Sequence, residues 1–223
     1  PRPPARGGAP PGGVGGGGVV WGGGGGWLRD EFEALQLGTF EVRGRVMDEQ
    51  LDIIRAAWTE ERVTYRGEFY RFPTVSVTPK PEQRGGPPIL VGGNSGPALR
   101  RVVRHGDGWH ALMLLPDEVV THRARLDALA VAAGRADRIP VTLVTALHLS
   151  RDASIHPSLS EEERRAAVAG TPDQVVAQLA AYRDAGVDHI QLVASADATF
   201  GSWSPVDTME FVLREVWPAV RAT

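Results

Sequence analysis

The chain has 223 residues, 42% of them hydrophobic, which is enough for one sizeable core. A formal net charge of -3 and a pI near 6.1 leave no electrostatic ground for a nucleic-acid partner. There is no cysteine, which excludes disulfides, thiolate metal sites and a thiol nucleophile.

Thirteen of the 27 glycines and five of the 17 prolines fall within the first 26 residues. Such a stretch cannot bury enough apolar surface to offset its conformational entropy. Residues 1–21 are therefore expected to be a disordered low-complexity tail, and residues 22–223 the folded domain. The chain opens on Pro1 rather than methionine, which reads as a fragment, a processed product or an unusual start. That start has no apolar signal core, and no apolar run approaches the roughly 18 residues that span a bilayer. The expectation is a cytoplasmic protein with no membrane partner.

Val19-Val20-Trp21 offers a short first strand. A helix follows from about Arg45 to Thr59, with Leu51, Ile54 and Trp58 on one face. Val63 to Tyr70 and Thr74 to Val77 are extended and read as a hairpin-like insertion. From Pro88 onward one unit repeats: a short β-branched run, a turn, an amphipathic helix and a polar link. Pro88-Ile89-Leu90-Val91 leads through Gly92-Gly93-Asn94-Ser95 into a helix from Pro97 to His105, with Ser95 or Asn94 as its cap and Gly106 as its stop. Gly108 to Met113 is the next strand, with a helix from Asp117 to Ala133 that stops at Gly134. Val141 to Leu147 is the third. After a polar insertion, Thr171-Pro172-Asp173 opens a helix carrying Val175, Val176, Leu179 and Tyr182, which ends at Gly186. His189 to Val193 is the last strand, and a final helix carries Phe211, Val212, Val216 and Trp217.

Strands this short and apolar, each followed by a helix, predict parallel pairing with helices packed outside. On this grammar a barrel and an open doubly wound sheet stand equal, since a closed barrel needs eight strands and about 250 residues.

Gly92-Gly93-Asn94-Ser95 is the leading site candidate. It lies between a strand end and a helix N-terminus, where unpaired N–H groups and the helix dipole favour an anion. The competing reading is a tight turn with a cap. Trp109 reads as packing. The six histidines are His105, His110, His122, His148, His156 and His189, and none has the spacing of a metal site. His110 and His148 sit within strands, and each reads as a hydrogen-bonded or surface histidine ahead of one at the barrel mouth. Glu161-Glu162-Glu163-Arg164-Arg165 reads as a solvated helix face. No nucleophile elbow or Walker motif is present.

Four segments in order carry a family resemblance. They are Gly22 to Trp27 with Leu28-Arg29-Asp30-Glu31-Phe32; Arg43-Gly44-Arg45 with Asp48-Glu49, leading to Ala57-Trp58-Thr59-Glu60; Tyr65-Arg66-Gly67-Glu68-Phe69-Tyr70 with Pro79-Lys80-Pro81; and Pro87 to Ser95, running to Gly106-Asp107-Gly108-Trp109. Together they resemble the luciferase-like monooxygenase family, particularly its branch using the deazaflavin coenzyme F420. The resemblance implies an α/β fold, a (β/α)₈ TIM barrel of which strands four to eight are present. About 80–100 residues of early strands, including a catalytic histidine of the deazaflavin branch, would precede them.

The resemblance further implies F420 or FMN as cofactor, a small-molecule substrate and a homodimer. Val91, Gly92, Gly93, Asn94 and Ser95 would hold the cofactor's phosphate end. Gly24, Gly25 and Gly26 would pass its ring, with Trp27 on the substrate side; their competing reading is slack glycine continuous with the tail. Some sugar-phosphate-oxidising relatives place an acid where Trp27 stands, which speaks against that substrate class. Three functions follow: a flavin or deazaflavin oxidoreductase; a catalytically inactive truncated barrel; and, behind both, another phosphate-binding barrel enzyme, which needs a Lys or paired carboxylates that the strand ends do not offer.

Overall fold

The computed structural model describes residues 18–38, 40–149, 167–194 and 204–222. Most of the glycine-rich tail, His156 and the Glu161–Arg165 run lie outside the described residues. The chain divides into two compact units, Pro1–Trp109 with Leu129–Ile139, and His110–Ala128 with Pro140–Thr223.

In the first unit, β1 (Trp21–Gly23) pairs in parallel with β4 (Ile89–Gly92), with Trp21 beside Ile89 and Gly23 beside Val91. The strand thus starts two residues later than the valines suggested. Between these strands come α1 (Arg29–Ala34), a 3-10 turn (Phe40–Val42), α2 (Arg43–Thr59) and the hairpin of β2 (Val63–Arg66) and β3 (Arg71–Val75). The hairpin is antiparallel and separate from the parallel sheet. After β4, α3 (Gly96–His105) leads to β5 (Gly108–Leu112).

The α2 stripe that turns inward is Val46, Met47 and Leu51, and α2 packs on α3. Ile89 and Val91 of β4, Leu99 and Val102 of α3, and Trp109 of β5 are fully buried. Together these side chains supply the apolar burial that drives this unit to fold. Gly106 does end α3, but in extended backbone (φ -80, ψ 148) rather than a left-handed cap. The reason is Arg135, whose buried guanidinium donates to the carbonyls of Val102 (3.3 Å) and Gly106 (2.8 Å) and so satisfies the helix end itself.

In the second unit, α4 (Pro116–Ala132) begins, and β6 (Val141–Leu149) pairs in parallel with both β7 (Ala167–Gly170) and β8 (His189–Ala194). α5 (Pro172–Asp184) lies between β7 and β8, opened by a Thr171 N–H that donates to Gln174 at 2.9 Å. Strand β7, the four residues Ala-Val-Ala-Gly, was not expected. Its small residues give no periodicity of their own, yet all four are buried. The chain ends in α6 (Pro205–Phe211), a π-helical turn (Val212–Val216) and α7 (Trp217–Ala222).

The parallel α/β arrangement is therefore present. Among the described residues, however, no strand pair closes the sheet into a barrel. Nor is any described helix long and apolar enough to cross a membrane.

Candidate functional site

Parallel pairing of β1 with β4 sets their C-terminal ends side by side. Gly24, Gly25 and Gly26 leave the first; Gly92, Gly93, Asn94 and Ser95 leave the second. The two are neighbours there: a Cβ at Gly92 would stand in van der Waals contact, 3.5 Å from the Gly23 carbonyl oxygen and 3.9 Å from Gly24 Cα.

The first glycine segment is tied down at Gly26. The Gly26 carbonyl accepts from Arg43 Nε at 3.1 Å, and Arg43 also donates to the Phe40 carbonyl at 2.7 Å while its guanidinium lies over the Phe40 ring. Phe32 meets Phe40 edge-on, and a side chain at Gly26 (φ +74) would overlap the Phe32 ring. Trp27 projects outward and is 80% exposed.

The second loop is fixed from beneath. Gly93 has φ +116, a conformation that side-chain-bearing residues rarely adopt. Its carbonyl accepts a 2.9 Å hydrogen bond from the indole of the fully buried Trp109. Trp109 thus packs as expected and also positions the loop. Ser95 caps α3, its hydroxyl accepting from the Ala98 N–H at 3.3 Å while its carbonyl accepts from Leu99. The cap reading holds: the Ser95 side chain serves Ala98, the third residue of α3. A loop with no side chains at 92 and 93, at the start of a ten-residue helix, fits a phosphate-bearing group.

His110 of β5 is half-buried, and its Nδ1 lies 2.7 Å from Thr142 Oγ1. Burial, then His189, holds its imidazole below the ordinary value. His148 is half-buried in β6. The sequence shows no histidine in an i, i+4 pair or in an acid cluster of metal-site spacing. Packing of α3 on α2 nevertheless sets His105 Nδ1 3.2 Å from Asp52 and Nε2 3.7 Å from Asp48. No local spacing could have shown this, since the partners lie more than 50 positions apart. Among the described residues, no three such side chains converge to hold a metal ion.

Parallel strands, each leading into a helix and one of them through a glycine loop, define an α/β architecture. The model of the luciferase-like monooxygenase family matches residues 13–156, and the chain belongs to that family. It is 37% identical over 106 residues to an uncharacterised protein of Mycobacterium tuberculosis, covering 48% of this chain and 36% of the relative. With the FMNH2-dependent dimethylsulfone monooxygenase of Pseudomonas fluorescens it shares 32% over 150 residues, 66% of this chain and 38% of the relative. The chain thus spans well under half the length of these relatives. Among solved structures, the coenzyme F420-dependent tetrahydromethanopterin reductase of Methanopyrus kandleri superposes with a TM-score of 0.73 at 18% identity, over 89% of this chain and 73% of that one. The likeness establishes the fold as that of luciferase-like TIM-barrel enzymes.

Proposed function

We propose that the paired glycine segments form the cofactor cradle of a flavin- or deazaflavin-dependent oxidoreductase acting on a small organic molecule. One observation carries the reading: Gly92, which opens the second loop, neighbours Gly23 and Gly24 at the ends of two adjacent parallel strands, with Trp109 clamping Gly93. In this reading Val91, Gly92, Gly93, Asn94 and Ser95 receive the phosphate, Gly24, Gly25 and Gly26 allow a flat ring to lie against bare backbone, and Trp27 stands on the substrate side. Relatives named for FMNH2 and for F420 support both cofactors. When bound, such a cofactor supplies the two-electron chemistry, and the protein supplies binding, orientation and exclusion of water.

Titration of the chain with FMN and with F420, followed by fluorescence quenching, tests the proposal. Saturable binding of at least one is expected. Gly93→Ala, strained at φ +116 and 3.0 Å from Ala98 Cβ, should weaken it by about tenfold or more. Gly134→Ala, at a left-handed turn (φ +70) with open space around it, should leave affinity within about twofold. If neither cofactor binds, or both variants weaken binding alike, the cradle assignment fails.

A further inference from the structure

The 3-10 turn, the start of α2 and the facing side of α3 line an open depression of about 440 Å³ in the first unit, with Arg100 and Arg104 exposed along it. Its wall carries four guanidiniums, Arg45, Arg100, Arg101 and Arg104, against two carboxylates, Glu41 and Asp48. Both carboxylates are engaged, Glu41 by Arg29 and Asp48 by Arg101 at 2.6 Å. Arg45 is paired with Glu68. Arg100 and Arg104 form no ion pair among the described residues.

Those two stand four positions apart on one face of α3, a spacing at which like charges destabilise a helix. Solvent alone would accommodate them on a convex surface. Here they line a concavity whose other charges already have partners, so an incoming anion would gain two uncommitted guanidinium forks, each shaped for a carboxylate.

The place of the pocket is equally informative. Pro97 shares its wall and lies two residues beyond Ser95, where the second glycine loop ends. Val42 and Gly44 share it from the other side, flanking the Arg43 that holds the Gly26 carbonyl. Each wall thus adjoins, within a few residues of the chain, a residue that follows or holds a glycine segment.

We infer that this pocket is an anion subsite that receives a carboxylate-bearing extension of the cofactor beyond its phosphate. The inference rests on the cofactor reading above and narrows it. F420 carries an oligoglutamate tail past its phosphodiester, whereas FMN ends at the phosphate. Arg100 and Arg104 are thereby specificity-determining residues that favour the tailed deazaflavin.

Three probes test this by calorimetry: F420 with its tail, the tail-less deazaflavin 5′-phosphate, and a γ-linked oligoglutamate peptide alone. The tailed cofactor should bind about tenfold or more tighter than the tail-less phosphate, and added salt should narrow the gap. Arg100→Gln with Arg104→Gln should abolish that difference and the weak binding of the peptide, while the tail-less phosphate keeps its affinity within about twofold. Circular dichroism of the double variant guards against loss of fold. Equal binding of tailed and tail-less forms by the wild type, with no peptide binding, overturns the subsite and leaves the cradle standing. Peptide binding lost in the double variant, with no binding of either deazaflavin, keeps the anion pocket and overturns the cradle together with the tail assignment.

Discussion

At the scale of single residues, Trp109 and His105 show what a side chain gains from partners that are distant in sequence. Trp109 reads as a core aromatic, and so it is. Its indole N–H, however, is spent on the carbonyl of Gly93 sixteen positions earlier, so the same ring fills the core and holds the candidate loop. His105 closes α3 and is buried against α2. Burial is the largest influence on its imidazole and lowers the pKa; Asp52 and Asp48 oppose it, and Arg104 and Arg101 reinforce it. The unfolded chain therefore takes up a proton at this position more readily than the folded one. The stability this group allows is complete above the ordinary value of 6.5 and falls as pH drops through 6.5 toward the lowered folded value. The urea midpoint is expected to fall between about pH 7.5 and about pH 5.5, and His105→Gln should make that fall smaller. Equal losses in both proteins would remove His105 from the linkage.

At the scale of elements, the family-like segments prove to be matched pairs. Glu49 of α2 accepts hydrogen bonds from the N–H groups of Glu68, Phe69 and Tyr70, which closes the hairpin turn, and Gln50 donates to the Tyr70 hydroxyl at 2.7 Å. Lys80, in Pro79-Lys80-Pro81, donates to the carbonyls of Ala57 (2.7 Å) and Glu60 (2.6 Å) at the end of α2. A further device occurs in both units. Asp107, just before β5, accepts from the Ile89 N–H at 2.9 Å and returns its own N–H to the Ile89 carbonyl; Asp188, just before β8, does the same for Val141. Asp107 is also paired with Arg55 at 2.7 Å. Each aspartate thus ties the start of its own strand to the start of another. Asp188→Ala is expected to cost about 1–3 kcal/mol in denaturant unfolding, with Asp188→Asn costing less because an acceptor oxygen remains. At Asp107 the Asn variant should recover less, since the ion pair with Arg55 is lost as well. Identical costs for Asn and Ala at position 188 would show that the accepted bond is not what matters.

At the scale of the whole molecule, the recurring strand-then-helix text predicts a parallel α/β protein, and that is what forms. The expectation failed at β7, where four small residues form a strand because neighbours bury them. The net charge of -3 and pI near 6.1 also act at this scale, since repulsion between copies vanishes near that pH. Self-association followed by light scattering should be greatest near pH 6 and decline by about pH 8. A flat profile would mean that charge does not govern association.

The sequence by itself determined what is written in neighbouring residues. It showed where strands alternate with helices, that Ser95 or Asn94 caps a helix, that Gly92 and Gly93 leave a strand end bare, and which family the ordered segments resemble. These are local matters, set by side-chain period, capping chemistry and the backbone freedom of glycine. Only the tertiary structure decided which glycine segment lies against which, that Gly106 ends α3 in extended backbone with Arg135 on the carbonyls there, that His105 faces two aspartates, and that Arg100 and Arg104 share a concavity. Each of those depends on residues tens of positions apart, brought together by burying α2 and α3 on each other and by pairing β1 with β4. No local pattern specifies such contacts, because the free energy that selects them comes from the packed core as a whole.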